Sequence, residues 1–170
     1  MPSPSLEEIN NLRKKNLRPV VVGCFLYEKS VLFVYKEKHE LWQLPQGGIE
    51  NKEELEDAFV REMSEELDST FVKKAGPCQY SGQDVLEFPT HLHGSRSLVT
   101  DEGEEVIMEG KAYLFCKSEV NTKELDISQT EFDEYRWVPL ADAKEFVYDT
   151  IYQKGKQRVT IEALSALIKS

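Results

Sequence analysis

Hydrophobic residues along the chain fall into short runs that are rich in β-branched and aromatic side chains. Runs of four to eight such residues, flanked by polar or glycine-containing segments, are typical of β-strands. Only three polar residues, 28–30, separate the first two runs, which indicates a hairpin. The pattern predicts strands at residues 20–27, 31–35, 71–74, 85–88, 112–116 and 134–138.

Apolar residues at helical spacing, together with capping residues, predict helices between and after these strands. Ser5 and Glu8 form a capping-box pattern ahead of Ile9 and Leu12, so a short helix begins at this point. Residues 51–67 contain no Gly or Pro and carry acidic residues early, which predicts a second helix. Two further helices are predicted at residues 141–148 and 159–168.

Two stretches between these elements are predicted to be loops. Residues 42–48 contain a proline and two glycines, and residues 91–110 form a Gly-, His- and Ser-containing segment that we interpret as a mobile surface loop. Strands before, between and after helices indicate a mixed α/β fold. A chain of 170 residues has the size of a single domain, for which we expect an N-terminal helical extension at 1–17 and a closing helix at 154–170.

The helix at 51–67 has an unusual acidic face. At about 100° per residue, Glu62, Glu65 and Glu66 fall within an arc of about 100°. A solvated acidic surface is the ordinary interpretation of such a cluster. A Gly-Gly loop precedes this helix, however, and carboxylate oxygens with a freed loop carbonyl suit Mg²⁺ or Mn²⁺. The adjacent arc is apolar and predicts the buried side of the helix: Phe59, Val60, Met63 and Leu67.

The charge balance limits the classes of partner. The formal net charge of −10 argues against holding nucleic acid by bulk electrostatics, so a polyphosphate partner needs local cations or a bound metal, and we expect no DNA partner. No window approaches the roughly 20 apolar residues of a membrane span, and the N-terminus lacks the apolar core of a signal peptide. Three well-separated cysteines are typical of free thiols in a reducing compartment, so we expect a cytoplasmic protein with no membrane partner.

A twenty-residue segment resembles the Nudix box, Gly-x5-Glu-x7-Arg-Glu-apolar-x-Glu-Glu-x-Gly-apolar. Asp68 and Ser69 depart from its last two positions, where the family has Gly and an apolar residue, which concerns the end of the helix and not the acidic residues. The resemblance implies a Nudix-like α/β/α sandwich around a mixed β-sheet. The matching positions are Gly47, Glu53, Arg61, Glu62, Met63, Glu65 and Glu66.

The same resemblance implies roles for the residues of the box. Glu62, Glu65 and Glu66 would bind divalent metal ions, Mg²⁺ or Mn²⁺, with help from the carbonyl of Gly47. Glu65 or Glu66 would also act as the base toward the attacking water. Arg61 would pair with Glu53 and hold the loop against the helix, where an ordinary surface ion pair is the alternative.

Flanking segments are similar to one subgroup of the family, the RNA 5′-pyrophosphohydrolases and the dinucleoside polyphosphate hydrolases. The run from Trp42 through Gln46 to Gly48 matches the sequence Trp-Gln-x-Pro-Gln-Gly-Gly, and residues 131–138 match a second run in that subgroup. By this resemblance Glu131 is a further metal ligand or a candidate base, and Arg18 contacts substrate.

Cationic and aromatic side chains outside the box are candidates for holding the substrate. A solvated surface is the alternative for the lysines, and a place in the core is the alternative for the aromatic residues. Tyr80 and Phe132 are further candidates for base stacking, and the acidic run at 101–105 is interpreted as a solvated loop. The predicted substrate-binding residues are Arg18, Lys36, Trp42, Gln46, Lys154 and Lys156.

Together these features predict a metal-dependent pyrophosphohydrolase. Its substrate would be a nucleotide polyphosphate, either a dinucleoside polyphosphate or the 5′ end of RNA, and the negative net charge favours the small dinucleotide. The box is equally compatible with another nucleoside diphosphate derivative such as ADP-ribose. A catalytically silent protein that binds a nucleotide and regulates a partner is a further alternative.

Overall fold

A computed structural model describes residues 1–169 and contains a mixed seven-stranded sheet with a separate two-stranded hairpin. The sheet strands are β1 (Leu17–Tyr27), β2 (Ser30–Lys36), β3 (Leu41–Gln43), β4 (Gln46–Gly48), β5 (Gln79–Glu87), β8 (Gly110–Val120) and β9 (Glu134–Pro139). The hairpin consists of β6 (Ser97–Val99) and β7 (Glu105–Ile107). The helices are α1 (Leu6–Lys14), α2 (Leu55–Glu66), α3 (Ser69–Lys74), α4 (Leu140–Thr150) and α5 (Lys154–Lys169).

The sheet opens between its two central strands. β1 runs parallel to β8 along its whole length, but it pairs with β2 only beside the tight turn, at Leu26 and Tyr27. Beyond that point β4 pairs with the first half of β1, where Gly47 lies opposite Val21, and β3 pairs with the end of β2. The short strands β3 and β4 therefore fill the opening between β1 and β2.

Alternate residues of β1 enter two different cores, one on each face of the sheet. Val21 and Phe25 pack with residues of α1, α2 and α3, whereas Val20, Val22 and Cys24 pack with residues of α4 and α5. A strand that is buried on both faces reads as a continuous apolar run, as residues 20–26 do. The structure thus confirms the predicted α/β/α sandwich around a mixed sheet.

The helix that carries the acidic cluster packs closely on β1. Phe59 and Met63 are buried as predicted, and a Cβ at Gly23 would lie only 2.7 Å from the sulfur of Met63. Val60 was predicted to share this buried face, and that prediction is wrong, because its side chain is 57% exposed. Val60 lies at the far edge of the apolar arc, on the side away from the acidic residues.

The segment at 71–74 was predicted to be a strand, and this prediction is wrong. The segment lies in α3, which begins after Asp68, whose side chain accepts a hydrogen bond from the backbone nitrogen of Thr70. Asp68 is extended, at φ −84° and ψ 116°, and is not left-handed. The departure from the family's glycine therefore allows an N-cap that starts a new helix directly after α2.

The predicted loops contain short strands. Residues 42–48 contribute to β3 and β4, and residues 91–110 include the hairpin of β6 and β7. The predictions missed these elements because each strand is only three residues long. β5 also starts six residues earlier than predicted, at Gln79, because its polar first half is only partly buried and lacks an apolar pattern. No helix within residues 1–169 is long and apolar enough to cross a bilayer.

Replacing Phe59 with Ala tests the packing of α2 on the sheet. Phe59 is 2% exposed, and its ring centre lies 5.4 Å from that of Phe25. We expect Phe59→Ala to lower the free energy of unfolding by about 3–5 kcal/mol, because a large side chain is lost from a closed core. Urea denaturation measures this loss.

The neighbouring Val60→Ala variant is the matched control. Its side chain is largely exposed, so the free energy of unfolding should change by less than about 0.5 kcal/mol. Equal losses in the two variants would contradict the orientation of α2.

Candidate functional site

The guanidinium of Arg61 joins the loop before α2 to the helix itself. Its Nε and Nη2 atoms donate to the two carboxylate oxygens of Glu53 at 2.8 and 2.9 Å, and Nη2 also donates to the carbonyl of Gly48 at 2.8 Å. The hydrogen bonds from Arg61 lower the pKa of Glu53, and this carboxylate raises the pKa of Arg61 in return. The loop and the helix are therefore held together by a charge-assisted, bidentate pair.

The same guanidinium also contacts two acidic residues of the cluster on α2. Its Nη1 atom donates to Glu62 at 2.9 Å and to Glu65 at 3.4 Å. The side chain of Glu62 is only 12% exposed, whereas that of Glu65 is 60% exposed. One cation thus partly offsets the repulsion among the carboxylates of the helix.

Gly47 brings the backbone of β4 directly against Glu62. A Cβ at this position would overlap the Glu62 carboxylate, so a larger residue would displace either the strand or the acid. The neighbouring Gly48 has the same relation to Arg18, because a Cβ there would overlap the guanidinium. Two adjacent glycines therefore separate an acidic side chain on one face of β4 from a cation on the other face.

Glu66 shares its electrostatic environment with the other acids. Burial raises the pKa of Glu66, and the nearby carboxylates of Glu131, Glu62 and Glu65 raise it further, while Lys36 opposes them. Glu131 lies in the segment before β9 and is paired with Lys36 at 2.7 Å. That pairing lowers the pKa of Glu131. Glu62, Glu65 and Glu131, which were predicted as metal ligands with Glu66, therefore all act on the charge of Glu66.

The donor set has the chemistry of a site for a hard divalent cation. It consists of carboxylate oxygens beside the backbone of Gly47, and oxygen atoms are the ligands preferred by Mg²⁺ and Mn²⁺. Within residues 1–169, however, no group of three or more His, Cys, Asp or Glu side chains stands close enough to hold a metal ion by itself. The residues therefore fit such an ion in the chemistry of their donor atoms.

A cavity of about 140 Å³ lies on the opposite face of β4, between the sheet and α5. Two lysines stand at this cavity, Lys111 from β8 and Lys156 from α5. The pKa of Lys111 is lowered, first by burial and then by the nearby charges of Arg18, Lys156 and Arg96. The other lining residues are Val22, Leu41, Trp42, Gln43, Leu44, Gln46, Tyr113, Phe115, Ile151, Val159, Thr160 and Ala163.

Sequence reasoning missed Lys111. The parallel register of β1 and β8 places it directly beside Arg18. Like charges on neighbouring strands repel each other, and a bound anion would relieve this repulsion. The only local signal was a single cation at the start of the apolar run 112–116, and its partner is far away in the sequence.

Other predicted substrate-binding residues have mixed locations. Trp42 lines the cavity but is 9% exposed, and the Arg136 guanidinium lies 4.8 Å from its ring centre. Gln46 and Lys156 line the same cavity. Lys154 is the exposed first residue of α5 and is not among the lining residues.

Arg18, Lys36, Tyr80 and Phe132, like Lys154, lie outside the cavity lining. Lys36 contacts Glu131 on the acidic side of β4. Phe132 is 5% exposed and belongs to the core, and Tyr80 is half-buried against the same core. Neither ring is therefore an open platform for a base.

Comparison with known proteins finds similarity along most of the chain. A sequence model of the NUDIX domain matches residues 17–158. The chain is 26% identical over 158 residues to the RNA pyrophosphohydrolase of a Nitratiruptor species, covering 89% of this chain and 95% of that protein. It is 30% identical over 166 residues to the RNA pyrophosphohydrolase of Wolbachia pipientis subsp. Culex pipiens, covering 92% of this chain and 94% of that protein.

The fold is also found among solved structures. The E. coli dihydroneopterin triphosphate pyrophosphohydrolase superposes with a TM-score of 0.59 at 16% identity, covering 91% of this chain and 99% of that one. At this level of identity the similarity establishes the architecture and leaves the substrate open.

Two variants compare the acids that contact Arg61 from the loop. Glu53→Gln should lower the free energy of unfolding by about 1–3 kcal/mol, because it breaks a bidentate, charge-assisted pair whose carboxylate is 13% exposed. Glu50→Gln is the control, since this carboxylate lies 3.6 Å from Nε of Arg61 and is 67% exposed. Its loss should stay below about 1 kcal/mol. Urea denaturation without metal gives both values, and equal losses would contradict the central place of Glu53.

Proposed function

This chain belongs to the NUDIX domain family, and on that premise we propose that it hydrolyses a phosphoanhydride bond in the polyphosphate at the 5′ end of RNA. Support comes from relatives that bear the name RNA pyrophosphohydrolase and match nine-tenths of this chain. The observation that carries the proposal is the pair of glycines in β4, which separates a cluster of acids from a cluster of cations. A polyphosphate needs both groups, one to hold a metal and one to bind phosphate oxygens.

On the acidic side, Glu62, Glu65, Glu66 and the carbonyl of Gly47 would hold the divalent ion, Mg²⁺ or Mn²⁺, with Glu131 as a further ligand. When bound, such an ion neutralises phosphate charge and makes a coordinated water more acidic. Arg61 holds the helix and the loop together, so the carboxylates stay close to the backbone of β4.

One acidic residue removes the proton from the attacking water. Glu65 and Glu66 are candidates by resemblance to the family, and Glu131 is a third. A general base must lie within hydrogen-bond reach of the water, so the three are separated by the rates of their Gln variants.

On the cationic side, Arg18, Lys111 and Lys156 would bind the phosphates that are not attacked. Lys111 and Lys156 line the cavity together with Gln46 and Trp42, and Arg18 lies beside Lys111 in the register of β1 and β8. Lysine and arginine donate charge-assisted hydrogen bonds to phosphate oxygens, so this group orients the chain of phosphates relative to the acids.

A dinucleoside polyphosphate is the second candidate substrate. The net charge of −10 favours it, because long RNA gains little from the bulk electrostatics of an acidic protein. Both substrates present the same reacting group, a phosphoanhydride next to a nucleoside.

A panel of substrates tests the proposal. The protein is incubated with Mg²⁺ or Mn²⁺ and a 5′-triphosphorylated oligoribonucleotide, diadenosine tetraphosphate or ADP-ribose, and the products are identified by mass. We expect the oligoribonucleotide to be converted to its 5′-monophosphate at the highest kcat/KM. Preferential cleavage of diadenosine tetraphosphate would select the second candidate, and no cleavage of any substrate would favour a silent nucleotide-binding protein.

Glu66→Gln tests the role of the acidic cluster. We expect kcat to fall about 100-fold or more, because the variant loses either a metal ligand or the base. The free energy of unfolding without metal should be unchanged or slightly higher, since one repelling charge is removed. Asp57→Asn, at an exposed position in the first turn of the same helix, is the control and should keep full turnover. Unchanged turnover in Glu66→Gln would overturn the assignment.

Lys111→Met tests the cationic side. We expect KM for the triphosphorylated oligoribonucleotide to rise about tenfold, because one charge-assisted hydrogen bond to phosphate is lost. Steady-state kinetics at saturating Mg²⁺ measure this change, with Lys144→Met on the exposed surface of α4 as the control. An unchanged KM in Lys111→Met would place the substrate elsewhere.

A further inference from the structure

Arg13 of helix α1 is a buried cation that contacts the loop before the acidic helix α2. The side chain of Arg13 is 4% exposed. Its Nη2 atom donates to the carbonyl of Ile49 at 3.1 Å and to the carbonyl of Glu50 at 2.8 Å. Arg13 lies ahead of the segment that matches the NUDIX domain, which starts at residue 17.

Asp101, in the turn of the hairpin formed by β6 and β7, binds both Arg13 and the same loop. Its carboxylate accepts from Nη1 of Arg13 at 3.1 Å, from Nδ2 of Asn51 at 2.9 Å and from the backbone nitrogen of Lys52 at 3.1 Å. Four successive residues of the loop, 49–52, are thereby bound either to Arg13 or to its partner. The acidic run at 101–105, which was interpreted as a solvated loop, thus has an inward-facing member.

Helix α1 also holds the hairpin turn that carries Asp101. Asn10 is 5% exposed, accepts from the backbone nitrogen of Asp101 at 2.8 Å and donates to the carboxylate of Glu102 at 3.0 Å. Asn10 and Arg13 lie three residues apart, so they share one face of the helix. Ile9, four residues before Arg13, lies on the same side of the helix; it enters the main core and is 1% exposed, so the side that holds the hairpin turn also seats the helix.

A series of hydrogen bonds connects this loop with the acidic cluster on α2. The backbone nitrogen of Glu50 donates to the carboxylate of Glu53 at 2.9 Å, and that carboxylate binds Arg61. Arg61 in turn binds Glu62. A buried guanidinium is unfavourable unless its donors are used, and those of Arg13 are directed at the loop and at Asp101.

We infer that Arg13 is a positioning residue for the hydrolase site: together with Asp101 it fixes the loop at 49–53, and through Glu53 and Arg61 it orients the carboxylates of α2. The inference rests on the proposed function for its consequence in catalysis. Its structural part concerns only the order of the loop and the readiness of the acids to bind an ion.

Arg13→Gln tests the inference with two measurements that do not depend on substrate. Without metal, we expect the backbone amides of Glu50, Lys52 and Glu53 to exchange with deuterium about tenfold faster, because their loop is released. In a calorimetric titration, Mn²⁺ should bind about tenfold more weakly, as is typical when a group that supports metal ligands is removed. With the triphosphorylated oligoribonucleotide, kcat should fall about tenfold while KM changes less than about twofold.

The matched control is Lys14→Gln, the next residue of the same helix, whose side chain is 52% exposed and pairs with Glu102 at 3.5 Å. This variant should keep the exchange rates, the Mn²⁺ affinity and kcat of the parent protein. If Arg13→Gln does not fold, Asp101→Asn carries the same three measurements, since it removes the charge of the partner at nearly constant volume.

Unchanged loop exchange in the Arg13 or Asp101 variant would overturn the inference. Faster exchange with unchanged Mn²⁺ affinity and kcat would also overturn it, because Arg13 would then serve only the packing of α1. If the parent protein cleaves none of the substrates, the proposed function fails, while the exchange and Mn²⁺ measurements still decide the role of Arg13.

Discussion

The site depends on the hydrogen bonds of Arg61. Three carboxylates on one face of α2 repel each other, and the cation of Arg61 offsets part of this repulsion. The donors of its guanidinium have a fixed planar arrangement and bind the carboxylate of Glu53, the carbonyl of Gly48 and the carboxylates of Glu62 and Glu65. Loop, short strand and helix therefore meet at one side chain, and a lysine could not make this set of contacts with one nitrogen.

The opening in the sheet explains why acidic side chains lie on one face of β4 and cationic side chains on the other. Because β1 and β2 separate after their turn, β4 can enter beside β1 with two residues that have no side chain. Glu62 comes close to the strand from α2, and Arg18 comes close on the other side, where Lys111 and Lys156 stand at a cavity. The arrangement is suited to a highly charged anion that needs metal ligands at one point and cations at another.

Local pattern was sufficient to predict the parts of this architecture that depend on neighbours in sequence. The face shared by Glu62, Glu65 and Glu66 follows from helical spacing, and resemblance to the family named the pair of Arg61 and Glu53 that the structure brings together. The roles of Lys111 and Arg13 could not be predicted from local pattern, because their partners come from a distant strand and from a hairpin turn. The β-branched and aromatic residues of α3 resemble a strand locally, and the cap at Asp68, together with packing against α2, decides the conformation.

The central claim is that the acidic face of α2, beside the backbone of β4, binds divalent metal ions. Anomalous diffraction from crystals grown with Mn²⁺ tests it most directly, because the signal locates the ion independently of the surrounding side chains. We expect an anomalous peak among the carboxylates of Glu62, Glu65 and Glu66 and the carbonyl of Gly47. Crystals in which these oxygens hold no ion, whether Mn²⁺ binds elsewhere or not at all, would contradict it.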